Sequence, residues 1–265
     1  MDLFEVITKR RTHRSEFSDR PISESDLAQL IESARWAPSP FNVQPWHLVV
    51  VRDRVQKKAI ADLTTRAIRE QFEDPQFLDD NGRWMRTTIE EWERLQDGVL
   101  LQDHVDLPSD LSNPAVLRSL LKHASHLSLL GKLGMGGKPA QEIAGLVIQA
   151  PVLIMISMDR ERKPPGEAYL RWMWLGMGAM IQNILLTATA LQIGSQFISA
   201  PIERTSDRQQ LSQILGLPKS HEMVSLIRFG YLLHADGEGL LPAKGVRRHP
   251  SDFVSHEKYA QKKAE

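Results

Sequence analysis

The stretch Leu170–Leu191 is the longest apolar run in the chain and limits its fold more than any other feature. A helix crosses the hydrocarbon of a bilayer in about 20 residues, so the run is long enough to be tested as a membrane span. It carries Arg171, Gln182 and Asn183, however, and the chain offers no second span with which such groups would pair in lipid. It reads as a long buried helix of a soluble protein. Gly176, Gly178 and Ala179 would let another helix approach closely, as at a subunit interface, although core packing explains them as well. Of the 265 residues, 42% are hydrophobic and 25% charged, enough for a substantial core. The 33 Lys and Arg balance 33 Asp and Glu, which leaves no long-range pull toward nucleic acid or membrane. Cysteine is absent, and with it disulfides, thiolate metal sites, iron–sulfur clusters and cysteine nucleophiles. The opening residues lack an apolar signal core, so a cytoplasmic location is expected.

Periodicity places the other elements. A helix is expected over Leu3–Arg11, with Lys9, Arg10 and Arg11 at its C-terminal end, where cations suit the helix dipole. Ser23 caps a second helix with Asp26 three residues later, and Pro38 and Pro40 end it. The loop Ala37–Pro45 leads into a buried strand, His47–Val51, and a helix from Val55 to about Gln71. A charged amphipathic segment covers Arg83–Gln96, Asn113 and Pro114 open a further helix, and Gly131–Pro139 reads as a hinge loop. Val152–Met158 has the pattern of a central strand. Ser195–Ser199 and Val224–Leu232 are further strands, separated by a short helix ending near Gly216. The order gives one α+β domain over residues 1–265, with a helical insertion or lid at about 66–148 and a tail at about 237–265.

Several motifs fail on inspection. In Gly131–Lys138 the glycine spacing of a phosphate loop is wrong, and Pro139 stands where Ser or Thr would hold Mg²⁺. Gly176 and Gly178 open a dinucleotide fingerprint that Ile181 breaks. His123 and His126 have no matching third ligand nearby, so no metal is expected. Two basic clusters remain. An extended Arg10–Arg14 would present Arg10, Thr12 and Arg14 on one side, suited to a phosphate, and Lys244, Arg247 and Arg248 could complete the set. Each cluster alone also reads as solvated surface. The loop between Ala37 and Trp46 adds three prolines that stiffen it, with Ser39, Asn42 and Gln44 as polar groups.

Arg10-Arg11-Thr12-His13-Arg14, Ala34–Ser39 and Asn42-Val43-Gln44-Pro45-Trp46 together resemble the opening signature of the nitroreductase-like flavoproteins. Gly194-Ser195, Phe229-Gly230-Tyr231 and Arg247-Arg248-His249-Pro250 fall where later motifs of that family fall. The resemblance implies an α+β fold with a central, mostly antiparallel sheet flanked by helices. It implies an interlocked homodimer with FMN at the subunit interface. Arg10, Thr12 and Arg248 then resemble the groups on the FMN phosphate and ribityl chain, with Arg11, Lys244 and Arg247 in the same runs. Arg14 resembles the cation at the pyrimidine edge. Pro38, Ser39, Pro40 and Asn42, with Gln44 beside them, match the loop that reaches the flavin from the other subunit, and Ser199-Ala200 the segment near flavin N5. The implied activity is an FMN-dependent NAD(P)H oxidoreductase that passes hydride through N5 to an electron-poor small molecule by a ping-pong cycle, with NADH or NADPH as co-substrate. An oxygen-using, flavin-modifying branch, a non-catalytic flavin-binding module and a partner-docking scaffold are the alternatives. Pro40 and Phe41 replace small polar residues common in the family. Phe72, Phe77, Trp84 and Trp92 are lid candidates.

Overall fold

The computed structural model describes residues 1–101, 118, 119, 125, 128, 136–233 and 245–259. Most of the helix expected from Asn113, His123, His126, most of the glycine-rich loop and Lys244 lie outside those residues. In chain order the elements that concern the site are α1 (Leu3–Lys9), α2 (Glu24–Arg35), β1 (Trp46–Val51), α3 (Arg54–Glu73), α4 (Pro75–Gly82), β2 (Met85–Arg86), α5 (Ile89–Leu95) and β3 (Val99–Leu100). They continue with α6 (Gly137–Gln149), β4 (Val152–Asp159), α7 (Tyr169–Ala190), β5 (Ile193–Phe197), α8 (Ala200–Glu203), α9 (Thr205–Ile214) and β6 (His221–Tyr231). Contacts divide the chain into one unit of Met1–Ile68 with Ala140–Glu238, and another of Arg69–Pro139 with Gly239–Glu265.

The first unit is built on a four-stranded sheet in the order β1-β4-β6-β5, antiparallel throughout. β4 has neighbours on both edges and is buried from Val152 to Met158, as its apolar run, interrupted only by Ser157, predicts. Alternation along it divides the core in two. Ile154, Ile156 and Met158 pack with Leu30 and Ala34 of α2 and with Met173, Met177 and Met180 of α7. Leu153 and Met155 pack on the other face with Ile60 and Leu63 of α3, Val147 of α6 and Leu211 of α9. Burying each such side chain contributes about 1.5–3 kcal/mol before conformational entropy is charged against it. The Ser23 hydroxyl caps α2 by accepting from the Asp26 N–H at 3.0 Å, as its spacing predicts.

Four expectations change in detail. β1 lies at a sheet edge and only Val51 is fully buried, so the strand is not the buried one its apolar run implied. β5 begins at Ile193 and ends at Phe197, because Ser199 turns into the helical region and α8 starts at Ala200 with Pro201 in its first turn. Helix α6 has no counterpart among the elements expected from periodicity; it follows directly on Gly136. Helix α7 is buried on one face only. Its Trp172 and Leu175 are 54% and 60% exposed, and α1, which packs on it, leaves Phe4 78% exposed. Asn183, a polar group inside that apolar run, donates to the Ser33 carbonyl at 3.1 Å. Among the described residues no helix is long and apolar enough to cross a membrane.

Candidate functional site

Helix α1 stops at Lys9 rather than Arg11, and Arg10 leaves it with extended ψ of 123°. The Arg11 guanidinium donates to the Thr8 and Arg10 carbonyls at 2.6 and 2.8 Å, closing the C-terminal end of α1. Beyond it the chain runs beside the sheet. Thr12 forms a parallel bridge with Ser195 of β5, and the His13 N–H donates to the Ser195 carbonyl at 2.9 Å. The side chains alternate as a strand requires: His13 is buried, while Thr12 and Arg14 on the opposite side are partly open. Arg10, Thr12 and Arg14 therefore belong to one extended run, as the sequence predicts.

That run rests on an unusual floor. The Phe17 ring is stacked 5.2 Å from the His13 ring. It covers Gly194 and Gly230, where an added Cβ would come within 2.7 and 2.5 Å of Phe17 atoms. Glycine is required at both places for this close approach. Arg228 of β6 lies under the same ring, 4.2 Å from its centre. It is 1% exposed and donates from Nε to Gln196 Oε1 (2.6 Å), and from Nη2 to the carbonyls of His13 (2.9 Å) and Ser15 (2.7 Å). Burial lowers the Arg228 guanidinium to about 10. Burial is also the main cause that lowers His13, whose Nδ1 has no hydrogen-bond partner. Sequence reasoning missed His13, Phe17, Gln196 and Arg228. The available signal was a lone arginine inside the apolar strand Leu226–Tyr231.

The proline-rich loop is held differently. A 3₁₀ turn covers Pro40–Asn42, and Phe41, Asn42 and Gln44 all have left-handed φ, at 50°, 52° and 45°. Three such non-glycine residues within four positions store strain of the kind found at ligand sites. Ser39 Oγ accepts from the Gln44 N–H at 3.0 Å, Gln44 Nε2 donates to Asn42 Oδ1 at 3.0 Å, and Arg162 Nε donates to the Val43 carbonyl at 2.8 Å. Beneath Pro38, Gly176 of α7 leaves only 3.2 Å between an ideal Cβ and the Pro38 carbonyl. The turn projects Phe41 into solvent, 79% exposed.

Of the remaining residues singled out in the sequence, Ser199 is the exposed residue before α8 and Ala200 is buried at its start. Arg247 and Arg248 belong to the second unit. Both are exposed; Arg247 donates to the Val246 carbonyl and Arg248 to the Asp252 carbonyl, each at 2.7 Å. Two clefts of about 420 and 710 Å³, one beside Arg83, Arg86 and Arg118 and one beside α9 and His221, contain none of the residues predicted from sequence.

A model of the nitroreductase family matches residues 7–231. The chain is 25% identical over 232 residues to 4-nitrobenzoate reductase of Pseudomonas putida, covering 87% of this chain and 85% of that protein. It is 40% identical over 62 residues to NADH dehydrogenase of Thermus thermophilus, 23% of this chain and 30% of that one. With a relative from Archaeoglobus fulgidus matched over 36% of its length, the chain spans about a third of these two curated relatives. Among solved structures, a point mutant of the FMN- and NADPH-dependent nitroreductase NfnB from sphigopyxis sp. strain HMH superposes with a TM-score of 0.57 at 21% identity. That match covers 98% of this chain and all of the other, and at this identity it establishes the fold.

Proposed function

The chain belongs to the nitroreductase family, and from that premise we propose that it is an FMN-dependent NAD(P)H oxidoreductase acting on an electron-poor small molecule. The observation that carries the reading is the extended Arg10–Arg14 run, bridged to β5 at Ser195 so that Thr12 and Arg14 share one side. The donor set fits an anionic cofactor: guanidinium forks and a hydroxyl bind phosphate and ribityl oxygens, and the cation on the floor beneath has no carboxylate partner among the described residues.

Arg10, Thr12 and Arg248 are the groups we assign to the phosphate and ribityl chain, with Arg11, Lys244 and Arg247 contributing charge from the same runs. Arg14 is assigned to the pyrimidine edge, where a cation favours negative charge on the ring. Ser199 and Ala200 are assigned to the ring's central edge. When bound, FMN would supply the redox chemistry, hydride transfer between NADH or NADPH and the acceptor through N5 in two separate half-reactions. The protein's part is to bind, orient and shield.

The strained turn Pro38–Gln44 is assigned to the flavin of a second subunit, so the functional unit is a homodimer. The apolar residues left open on α1 and α7, Phe4, Trp172 and Leu175 among them, support a face covered by another copy of the chain. We assign the segment between Arg69 and Pro139 to a lid over the acceptor; Ala140–Ile148, expected to belong to it, is part of helix α6, which packs in the core.

One absorbance spectrum tests the reading. Purified protein should show a flavin band that bleaches on anaerobic addition of NADH or NADPH and returns with an electron-poor acceptor. A colourless protein that takes up no FMN overturns it. A flavin band indifferent to both nucleotides favours the binding-module alternative.

A further inference from the structure

Arg228 does something unusual for a residue in the middle of a sheet. It is 1% exposed, yet all three of its acceptors, Gln196 Oε1 and the carbonyls of His13 and Ser15, are neutral. Among the described residues no carboxylate pairs with it. A buried cation without a counter-ion is costly, and a Gln or Met at this position would avoid that cost. Such violations of local rules concentrate where function requires them. Here the violation lies directly under the ligand-binding run: β6 places Arg228 opposite Gln196, next to the Ser195 that bridges Thr12. Two of its hydrogen bonds end on the backbone of the same run, at His13 and Ser15. The neighbouring His13 Nδ1, buried and without a partner, leaves the charge uncompensated from that side too.

We infer that Arg228 is a positioning cation of the phosphate end of the site. Its guanidinium fixes the backbone that presents Thr12 and Arg14, and its uncompensated charge draws an anion to that backbone from below. The inference rests on the FMN reading for the identity of the anion. The arginine remains largely charged at neutral pH, since burial lowers it only to about 10.

Full-length wild type, R228Q and R228K are compared for affinity toward FMN and toward riboflavin, which is the same ring system without the phosphate. Stabilisation by inorganic phosphate in thermal melts is read alongside. Loss of the charge in R228Q should weaken FMN about tenfold and riboflavin, which shares Thr12 and Arg14 but lacks the phosphate, at most about threefold, and R228K should restore most of the FMN affinity. Phosphate should stabilise wild type and R228K more than R228Q. R228Q binding FMN as tightly as wild type overturns the inference. So does an equal loss of FMN and riboflavin in both variants, the pattern of a merely structural residue. If R228Q does not fold, R228K decides: selective retention of FMN affinity supports the role and parallel loss of both flavins overturns it. If wild type binds no flavin, the FMN reading fails separately, and the phosphate arm still decides the role of Arg228.

Discussion

The run Thr12–Phe17 and the turn Ser39–Gln44 both belong to the proposed cofactor site, yet they are held in place by opposite means. Thr12–Phe17 has no left-handed residue, bends at Ser15, and borrows its rigidity from what lies beneath it: a bridge to Ser195, the Arg228 fork, and Phe17 seated on Gly194 and Gly230. Ser39–Gln44 carries its constraint in its own backbone, with three left-handed non-glycine residues and a hydroxyl–amide clasp between Ser39 and Gln44. The first arrangement depends on residues distant in sequence, the second on neighbours. Remote changes should therefore damage the first, and local ones should adjust the second.

The sharpest attempt to break that contrast is Gly230→Ala. Its new Cβ would lie 2.5 Å from Phe17 Cβ, and overpacking of this kind costs up to about 3 kcal/mol. Urea unfolding should show that loss, with weakened flavin retention. An alanine tolerated at wild-type stability would mean that Phe17 is not seated as described. Ser39→Ala removes the acceptor of the Gln44 N–H and should cost about 1 kcal/mol in the same measurement while leaving the Thr12 run intact. Phe41→Gly should go the other way. Relief of a left-handed φ of 50° on a side chain 79% exposed should raise stability by about 0.5 kcal/mol, and a loss would show that Phe41 is packed.

The smallest effect concerns protonation. Burial holds the His13 imidazole below its ordinary value of 6.5, and the Arg228 charge acts in the same direction, against a hydrogen bond to the Glu16 carbonyl. The unfolded chain therefore takes up this proton first as pH falls. The neutral ring's contribution is fully present above about pH 6.5 and is lost progressively below it, toward the lower folded value. Unfolding followed from pH 8 to pH 5 should show that decline, and His13→Gln should flatten it.

These differences also explain what could be read from the residues alone. β4 and the capped start of α2 follow from local patterns, an apolar run interrupted only by Ser157 and Ser23 three positions before Asp26, and both appear as expected. The Arg10–Arg14 run and the Pro38–Gln44 turn were recognisable as short motifs, and their alternation and stiffness followed. Arg228, Phe17 and His13 were not legible as one cluster, because nothing local to them reveals that Arg228 of β6 reaches the backbone at His13 and Ser15. The boundary of β5 was missed for a similar reason: Ser199 has the composition of a strand end, and only Pro201 and the contacts of α8 turn it into a helix start. The open face of α7 was hidden by its own hydrophobicity, since an apolar run reads the same whether its cover comes from this chain or another.

The hydrogen bond from Arg228 to the His13 carbonyl joins residues 215 positions apart. Contacts of that range form late, after the intervening loop entropy has been overcome. During synthesis the Arg10–Arg14 run must wait, exposed and without its floor, until β6 has left the ribosome. The proposed flavin is therefore expected to enter only after β6 is in place, and chains truncated before β6 should not retain it.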